Sequence, residues 1–412
     1  MRCGAIANAR SIVAPFDNCS PEGPGYEDEM LMRSQPADLS DHRRQARSFA
    51  GRLFLNGKFY GGAVNGVHRV ADRLLRELDA MAASGGQPAN WDMRLLLPAR
   101  SNWAPDFAAI RPVPQRLGHT QFWEQALLPI AARSGALASF ANLAPRPHRR
   151  KLTMVHDAQF RLSPESYPAK LRFGYRALIP SGARSSRVVL TVSDYARDSL
   201  GTFAIADPAR TAVIHNGADH ILEVAADPRI IDQHALIRGS YCVVFGSAAR
   251  YKNLKVVFDA FMRSELRDVQ LVVVGPSREA LARGGVEAPD RAVFVGSIDD
   301  AALRAVYEGA RCLLYPSRTE GFGLPPVEAM LCRCPVIAAP AGAVPEICRD
   351  AILYAGMDDP AEWAEQIRAL GDQPGLRQAK IEAGLARGDA FRWRAAGIKL
   401  ARVLMPLVEG AR

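Results

Sequence analysis

Two doubly wound α/β domains facing each other across a cleft are the fold this sequence predicts. Three observations predict it. From residue 52 onward, short apolar runs alternate with segments of helical periodicity. The alternation comes in two successive blocks, separated by Asp219–Arg238, where the pattern is lost and polar turns dominate. The strand-like runs, such as Val269–Gly275 (VQLVVVG), are near-continuously apolar, as expected of strands buried on both faces of a parallel sheet. Ligands of such sheets sit at the carboxyl ends of the strands, so the cleft between the two edges is the place to look for a site.

In the first block, Arg52–Asn56 (RLFLN) is a short strand closed by Gly57. After Gly61 and Gly62, the segment Val67–Met81 places Val67, Val70, Leu74, Leu75 and Leu78 on one helical face. Strand, glycine-rich turn and helix open a βα unit. Met93–Leu97 is a second strand and Phe122–Ala132 a helix. Leu152–His156 and Val188–Val192 are buried strands, the latter running into a helix capped by Ser193 or Asp194. Thr211–His215 is a further strand, closed by Asn216-Gly217.

The second block repeats the logic. Tyr241–Gly246, Val269–Gly275, Arg291–Val295, Cys312–Tyr315 and Val336–Ala338 are strands. Leu254–Phe261, Asp299–Gly309 and Pro326–Cys332 are helices, and the last 25 residues form an amphipathic helix. Residues 1–48, rich in Pro, Gly, Asp and Ser, read as a disordered extension, with Met30 or Met32 an alternative start. The predicted domains are therefore residues 49–225 and 238–389, with a terminal helix from about residue 390.

Composition excludes several classes. Hydrophobic residues make up 48% and charged residues 23%, which suits a globular chain. No apolar run approaches the ~18 residues of a membrane span. The first thirty residues lack the pattern of a secretory signal, and the seven scattered cysteines suit reduced thiols, so a cytoplasmic location is expected. Cys332 and Cys334 have no partners at zinc-like spacing and read as core positions. The net charge of +9 is concentrated: ten basic residues and two acids lie between Arg146 and Arg187. The readings of that span are a solvated face or a patch for an anionic membrane surface or phosphorylated acceptor. No nucleic-acid-binding motif accompanies it, and no nucleic-acid partner is expected.

The segment Tyr315–Ala339 (YPSRTEGFGLPPVEAMLCRCPVIAA) carries the most chemistry. A strand ends at Tyr315, and a loop holds Glu320, Gly321, Phe322 and Gly323. A helix then begins, with Pro325 and Pro326 at positions where a missing N–H costs nothing. Exposed amides and the helix dipole suit a diphosphate, and glycines let the ligand approach the backbone. Carboxylates on either side of an anion pocket suit hydroxyl-rich groups. A nucleotide sugar has that layout.

This segment resembles the E-x7-E signature of retaining GT-B glycosyltransferases, specifically glycosyltransferase family 4, with Glu320 and Glu328 at the signature spacing. The resemblance extends in order over about residues 50–410. Gly61-Gly62 is similar to the family's N-terminal glycine-rich loop near the donor diphosphate. Ser139–Pro145 (SFANLAP) is similar to bacterial mannosyl- and rhamnosyltransferase-like members, and Val155-His156-Asp157 resembles the strand-end histidine of the reaction centre. Val192–Arg197, Ile214–Gly217 and Phe391-Arg392-Trp393 are similar to three further elements of the family. Gly246–Asn253 resembles its basic element, with Lys252 in register and Arg250 displaced by one residue, because Tyr251 stands where the second cation is usual.

The resemblance implies a retaining hexosyltransferase that uses a nucleotide sugar, GDP-mannose first, on a glycan or lipid-linked acceptor. It implies that Glu320 contacts the transferred sugar and Glu328 the ribose. His156 stands at the reaction centre, and Lys252 and Arg250 meet the departing diphosphate. Gly61, Gly62, Gly246, Gly321, Phe322, Gly323 and Leu324 line the donor site. Attack on the same face as departure, with the leaving phosphate oxygen taking the acceptor proton, needs no protein nucleophile. No Asp-x-Asp triplet occurs in the chain, so no metal or other cofactor is expected. The alternatives are a nucleotide-sugar epimerase or phosphorylase on the same fold, or a catalytically inactive sugar-binding protein.

Overall fold

A computed structural model describes residues 51–410, apart from 63, 64, 100, 102–104 and 119. The expected extension, residues 1–48, lies outside the described residues.

Two all-parallel sheets are present. The first comprises β1 (Gly51–Asn56), β2 (Trp91–Leu97), β3 (Arg111–Pro114), β4 (Ala136–Ser139), β5 (Lys151–Met154), β6 (Val188–Thr191) and β7 (Thr211–Val213). Its spatial order is β3-β2-β1-β4-β5-β6-β7. The second comprises β8 (Tyr241–Phe245), β9 (Gln270–Val274), β10 (Val293–Gly296), β11 (Cys312–Tyr315), β12 (Val336–Ala338) and β13 (Leu353–Tyr354), in the order β10-β9-β8-β11-β12-β13. In each sheet the order reverses beside the first strand, between β1 and β4 and between β8 and β11. Those two points are where doubly wound sheets bind ligands.

The strands follow from apolar runs that vanish into the interior. Leu53, Leu55, Leu152, Leu190, Val243, Leu271, Val272 and Leu313 are fully buried. Elements without a long apolar run were not legible in the sequence. β3 is the sequence RPVP, whose prolines are tolerated because it lies at the sheet edge. β4 is the small-residue run ALAS. The helix Ala169–Arg184 hides its apolar face behind charge, burying Ile179, Gly182 and Ala183.

The helix Gly66–Ala83 buries Val70, Leu74, Leu75 and Leu78 as the periodicity predicts, together with Ala71 and Met81. It packs along the C-terminal helix Trp393–Val408, and Gly397 makes the crossing possible. A Cβ at that position would stand 2.5 Å from Glu77 Cβ. Arg150 donates to the carbonyls of Leu407 and Val408 at 2.8 and 2.7 Å, which satisfies orphan acceptors at the helix end. The entry to this helix is fixed by the Asn216-Gly217 turn, since a Cβ on Gly217 would meet the Trp393 backbone nitrogen at 2.2 Å. No helix among the described residues is long and apolar enough to cross a membrane.

Candidate functional site

A cleft of about 540 Å3 lies at the facing carboxyl edges of the two sheets. From the first sheet's side it is lined by Asn65–His68, Asn142, His156, Asp157 and Tyr175, and from the second sheet's side by Tyr251, Lys252, Tyr315 and Glu320–Pro325. Val67, expected on the apolar helical face, lines this cleft instead of the core.

The loop after β11 is held from several directions. Lys252 Nζ donates to Glu320 Oε1 at 2.7 Å, and the ammonium lies over the rings of Tyr251 and Tyr315 at 5.2 and 5.8 Å. Gly342 takes a left-handed conformation (φ 62°), and a Cβ there would stand 2.4 Å from Glu320 N. The neighbouring Ala343 N–H donates to Glu320 O at 3.0 Å. Gly321 lies so close to the opposite edge that a Cβ would meet His156 O at 2.6 Å. Ser193, which also caps its own helix, donates to Gly321 O at 2.6 Å. Gly323 (φ 97°) turns the chain into the helix Leu324–Leu331, which starts two residues earlier than expected and carries both prolines in its first turn.

His156 follows β5 and is buried. Its Nε2 faces Phe140 O at 2.8 Å; a carbonyl only accepts, so Nε2 carries the proton and Nδ1 does not. Burial lowers this imidazole to about 4, against a partial offset from the Phe140 carbonyl, so it is neutral near pH 7. Beside it, burial raises the Asp157 carboxyl; the Gln159 N–H opposes that rise and the Glu320 charge adds to it. Asp157 was not singled out from the sequence, although it adjoins His156.

Of the other expected residues, Gly321, Phe322, Gly323 and Leu324 line the cleft, and Gly61 and Gly62 line an adjoining cavity. Arg250 is exposed and outside the cleft wall, where Tyr251 stands in its place. Gly246 follows β8 and donates to Val274 O at 2.8 Å, packed against Val273 and Pro276. Glu328 is buried behind the wall. Its Oε1 lies 3.0 Å from His220 Nε2 and its Oε2 accepts from Tyr307 at 3.5 Å. The contact with His220 is a close approach without hydrogen-bond alignment. Because the Trp393 indole N–H donates to His220 Nδ1 at 3.1 Å, His220 presents an N–H to Glu328.

A second bridge joins the two edges. Glu346 accepts from the N–H groups of Asp194 and Tyr195 at 3.0 and 2.9 Å, at the start of the helix Asp194–Thr202, and from His215 at 3.1 Å. Burial opposes its charge, but these donors hold its carboxyl below the ordinary range. Asp194, His215 and Glu346 form the single grouping of metal-type ligands among the described residues. Cys332 and Cys334 are buried thiols, and burial pushes Cys332 up to about 12.

The expected basic patch divides. Lys151 is buried in β5 and donates to His148 O and Ser185 Oγ at 2.7 and 2.8 Å, and desolvation lowers it to about 8. Arg146, Arg149, Lys170, Arg176, Arg184 and Arg187 are exposed.

Residues 239–373, which include Lys252, Glu320 and Glu328, match the family model described as Glycosyl transferases group 1. The chain carries a group 1 glycosyl transferase domain and is a glycosyltransferase with the GT-B fold. This glycosyltransferase is 29% identical over 265 residues to O-antigen chain mannosyltransferase B of Escherichia coli, spanning 60% of the chain and 68% of that relative. It is 28% identical over 333 residues to the D-inositol 3-phosphate glycosyltransferase of Streptomyces bingchenggensis, spanning 74% and 70%. Its fold matches sucrose-phosphate synthase from Thermosynechococcus elongatus with a TM-score of 0.67 and 17% identity, over 87% of this chain and 99% of that one. Anabaena HepE in complex with UDP-glucose gives 0.61 and 18%, over 86% and 99%.

Proposed function

We propose that this enzyme moves a hexose from GDP-mannose to a glycan or lipid-linked acceptor, with retention of configuration, in polysaccharide or lipopolysaccharide synthesis. The observation that carries the reading is the Lys252–Glu320 pair beside the neutral His156 in one cleft between the two sheet edges. In this structure the two charges satisfy each other. An arriving diphosphate is the better partner for the ammonium, and the freed carboxylate accepts sugar hydroxyls. As the glycosidic bond breaks, Lys252 and the amides around Gly323 stabilise the growing charge on the leaving group. The acceptor oxygen forms the new bond on the same face, and its proton passes to the departing phosphate oxygen. The resemblance to the E-x7-E signature makes Glu328 the ribose contact, from its place behind the cleft wall beside His220 and Tyr307. The mannose preference and the polysaccharide setting draw on the O-antigen relative. None of these steps calls on a metal.

The test is thermal stabilisation of the purified chain by GDP, UDP and dTDP with chelator present. Ligand at a hundred times Kd adds about 2.7 kcal/mol. A shift with GDP alone is expected. A shift with UDP alone replaces the donor, a shift that needs added metal rejects metal independence, and no shift at all rejects the reading.

Membrane contact belongs to the same proposal. On the helix Ala169–Arg184, Phe173 is 78% exposed and stands between Lys170 and Arg176. An exposed aromatic flanked by cations suits an anionic lipid surface. Sedimentation with phosphatidylglycerol vesicles at low salt, weakened at high salt, is the expected result. Its absence at low salt removes this part.

A further inference from the structure

Beside the donor cleft lies a second cavity of about 330 Å3, and the two share His68, Ala141 and Tyr175 as a common wall. It opens at the ends of β1 and β4, where the first sheet reverses its strand order. A charged side chain is built into it. Glu124 is 2% exposed, and Asn56, the last residue of β1, donates from Nδ2 to its Oε1 at 2.8 Å. Asn56 Nδ2 also reaches Ser139 Oγ, the last residue of β4, at 3.2 Å. Lys58 Nζ donates to the other carboxylate oxygen at 2.7 Å.

The local backbone is unusual as well. Glu124 stands on a π-helical turn, Trp123–Leu127, inside an otherwise α-helical segment. Such turns are rare and concentrate at functional sites. Here two successive side chains both point inward: Trp123 joins the apolar cluster with Phe54, Leu96, Leu128 and Leu137, and Glu124 reaches the polar strand ends. A buried ion pair is a poor stabiliser compared with apolar filling, so stability alone does not account for this pair.

We propose that this cavity is the acceptor subsite and that it takes a neutral hexose unit of a glycan, not a phosphorylated polyol; this rests on the transferase reading above. Lys58 is the single Lys or Arg among the described lining residues, and Glu124 already neutralises it. A phosphate entering here meets the Glu124 oxygens with little water to screen them. A sugar hydroxyl donates to the carboxylate and accepts from the ammonium, so it satisfies both. The shared wall at Tyr175 then brings a neighbouring hydroxyl of that hexose toward the donor cleft.

The experiment is ligand-observed saturation-transfer NMR on the full chain with methyl α-mannopyranoside and myo-inositol 1-phosphate, with and without nucleotide. The mannoside binds the wild type and inositol phosphate does not. Glu124→Gln weakens mannoside binding by about 10- to 100-fold, the worth of a hydrogen bond to a charged group, and admits inositol phosphate, because Lys58 is left unpaired. Should that variant not fold, Lys58→Met serves: it loses the mannoside without gaining inositol phosphate. Inositol phosphate binding to the wild type at least as tightly as the mannoside overturns the proposal. So does undetectable mannoside binding to folded wild type, or unchanged mannoside binding by folded Glu124→Gln. The nucleotide-induced thermal shift, read on the same samples, reports the donor assignment separately.

Discussion

The two sheet edges that meet at the cleft are built by different means. The edge of the second sheet is a backbone device. β11 runs into one short segment whose glycines and prolines bring amides and Glu320 to the surface within eight residues, and Lys252 comes from the equivalent turn after β8. The edge of the first sheet is a side-chain device. Asn56, Lys58, Glu124 and Ser139 come from three separate segments, and their partnership exists only after β1 and β4 pair. A phosphate has one geometry in every donor, so a loop of fixed amides recognises it. Acceptors differ, and side chains on separate elements change independently of one another.

The sharpest way to break this contrast is to remove the charge at each edge. Glu320→Ala is expected to lower turnover by about 10²–10³, with an unchanged circular dichroism spectrum and melting midpoint. Lys252→Met is expected to do the same and also to abolish the nucleotide-induced thermal shift, which Glu320→Ala retains. Wild-type turnover by either folded variant sinks the donor assignment.

A smaller effect tests the backbone device. Gly342→Ala places a Cβ against Glu320 N at a left-handed position, and its expected cost is about 1–3 kcal/mol of stability in denaturant titration. An unchanged midpoint means that the turn relaxes and does not set Glu320.

The pH dependence of folding follows from His156. Between about 4 and 6.5 the unfolded chain takes up a proton that the buried imidazole refuses. Its contribution to stability is complete above 6.5 and is lost as pH falls toward 4. The melting midpoint therefore falls over this range, and less steeply in His156→Asn. Some slope survives in the variant, because burial lowers His148 too. Equal slopes in the two proteins overturn the burial argument.

The smallest effect concerns the bridge between the edges. Glu346→Gln removes a charge from the start of the helix Asp194–Thr202 and turns one of its two accepting oxygens into an NH2 group. The expected loss is about 1 kcal/mol in the same titration, and an unchanged midpoint means that the bridge adds nothing to stability.

How much was legible depended on the length of chain that carries each feature. Two doubly wound sheets could be read because most of the buried strands are local apolar runs. β3, β4 and the helix Ala169–Arg184 could not, since RPVP, ALAS and a charge-rich helix show little local pattern. Glu320 and Lys252 stood out because one loop and one turn carry them. That Tyr251 stands where a second cation is usual could be read from the sequence, but that Arg250 lies outside the cleft wall could not, because the tight turn Arg250–Lys252 decides which of the two faces the cleft.

By itself, the sequence determined the alternation of strands and helices, the glycine- and proline-rich loop that presents Glu320, and the spacing of Glu320 and Glu328. All are encoded within a few residues, where backbone sterics and hydrophobic periodicity act. Only the tertiary structure decided that His156 is neutral, that Trp393 sets the tautomer of the histidine facing Glu328, and that Glu124 and Lys58 share one cavity. Burial and hydrogen bonding between distant segments are properties of the packed chain, and no local pattern encodes them.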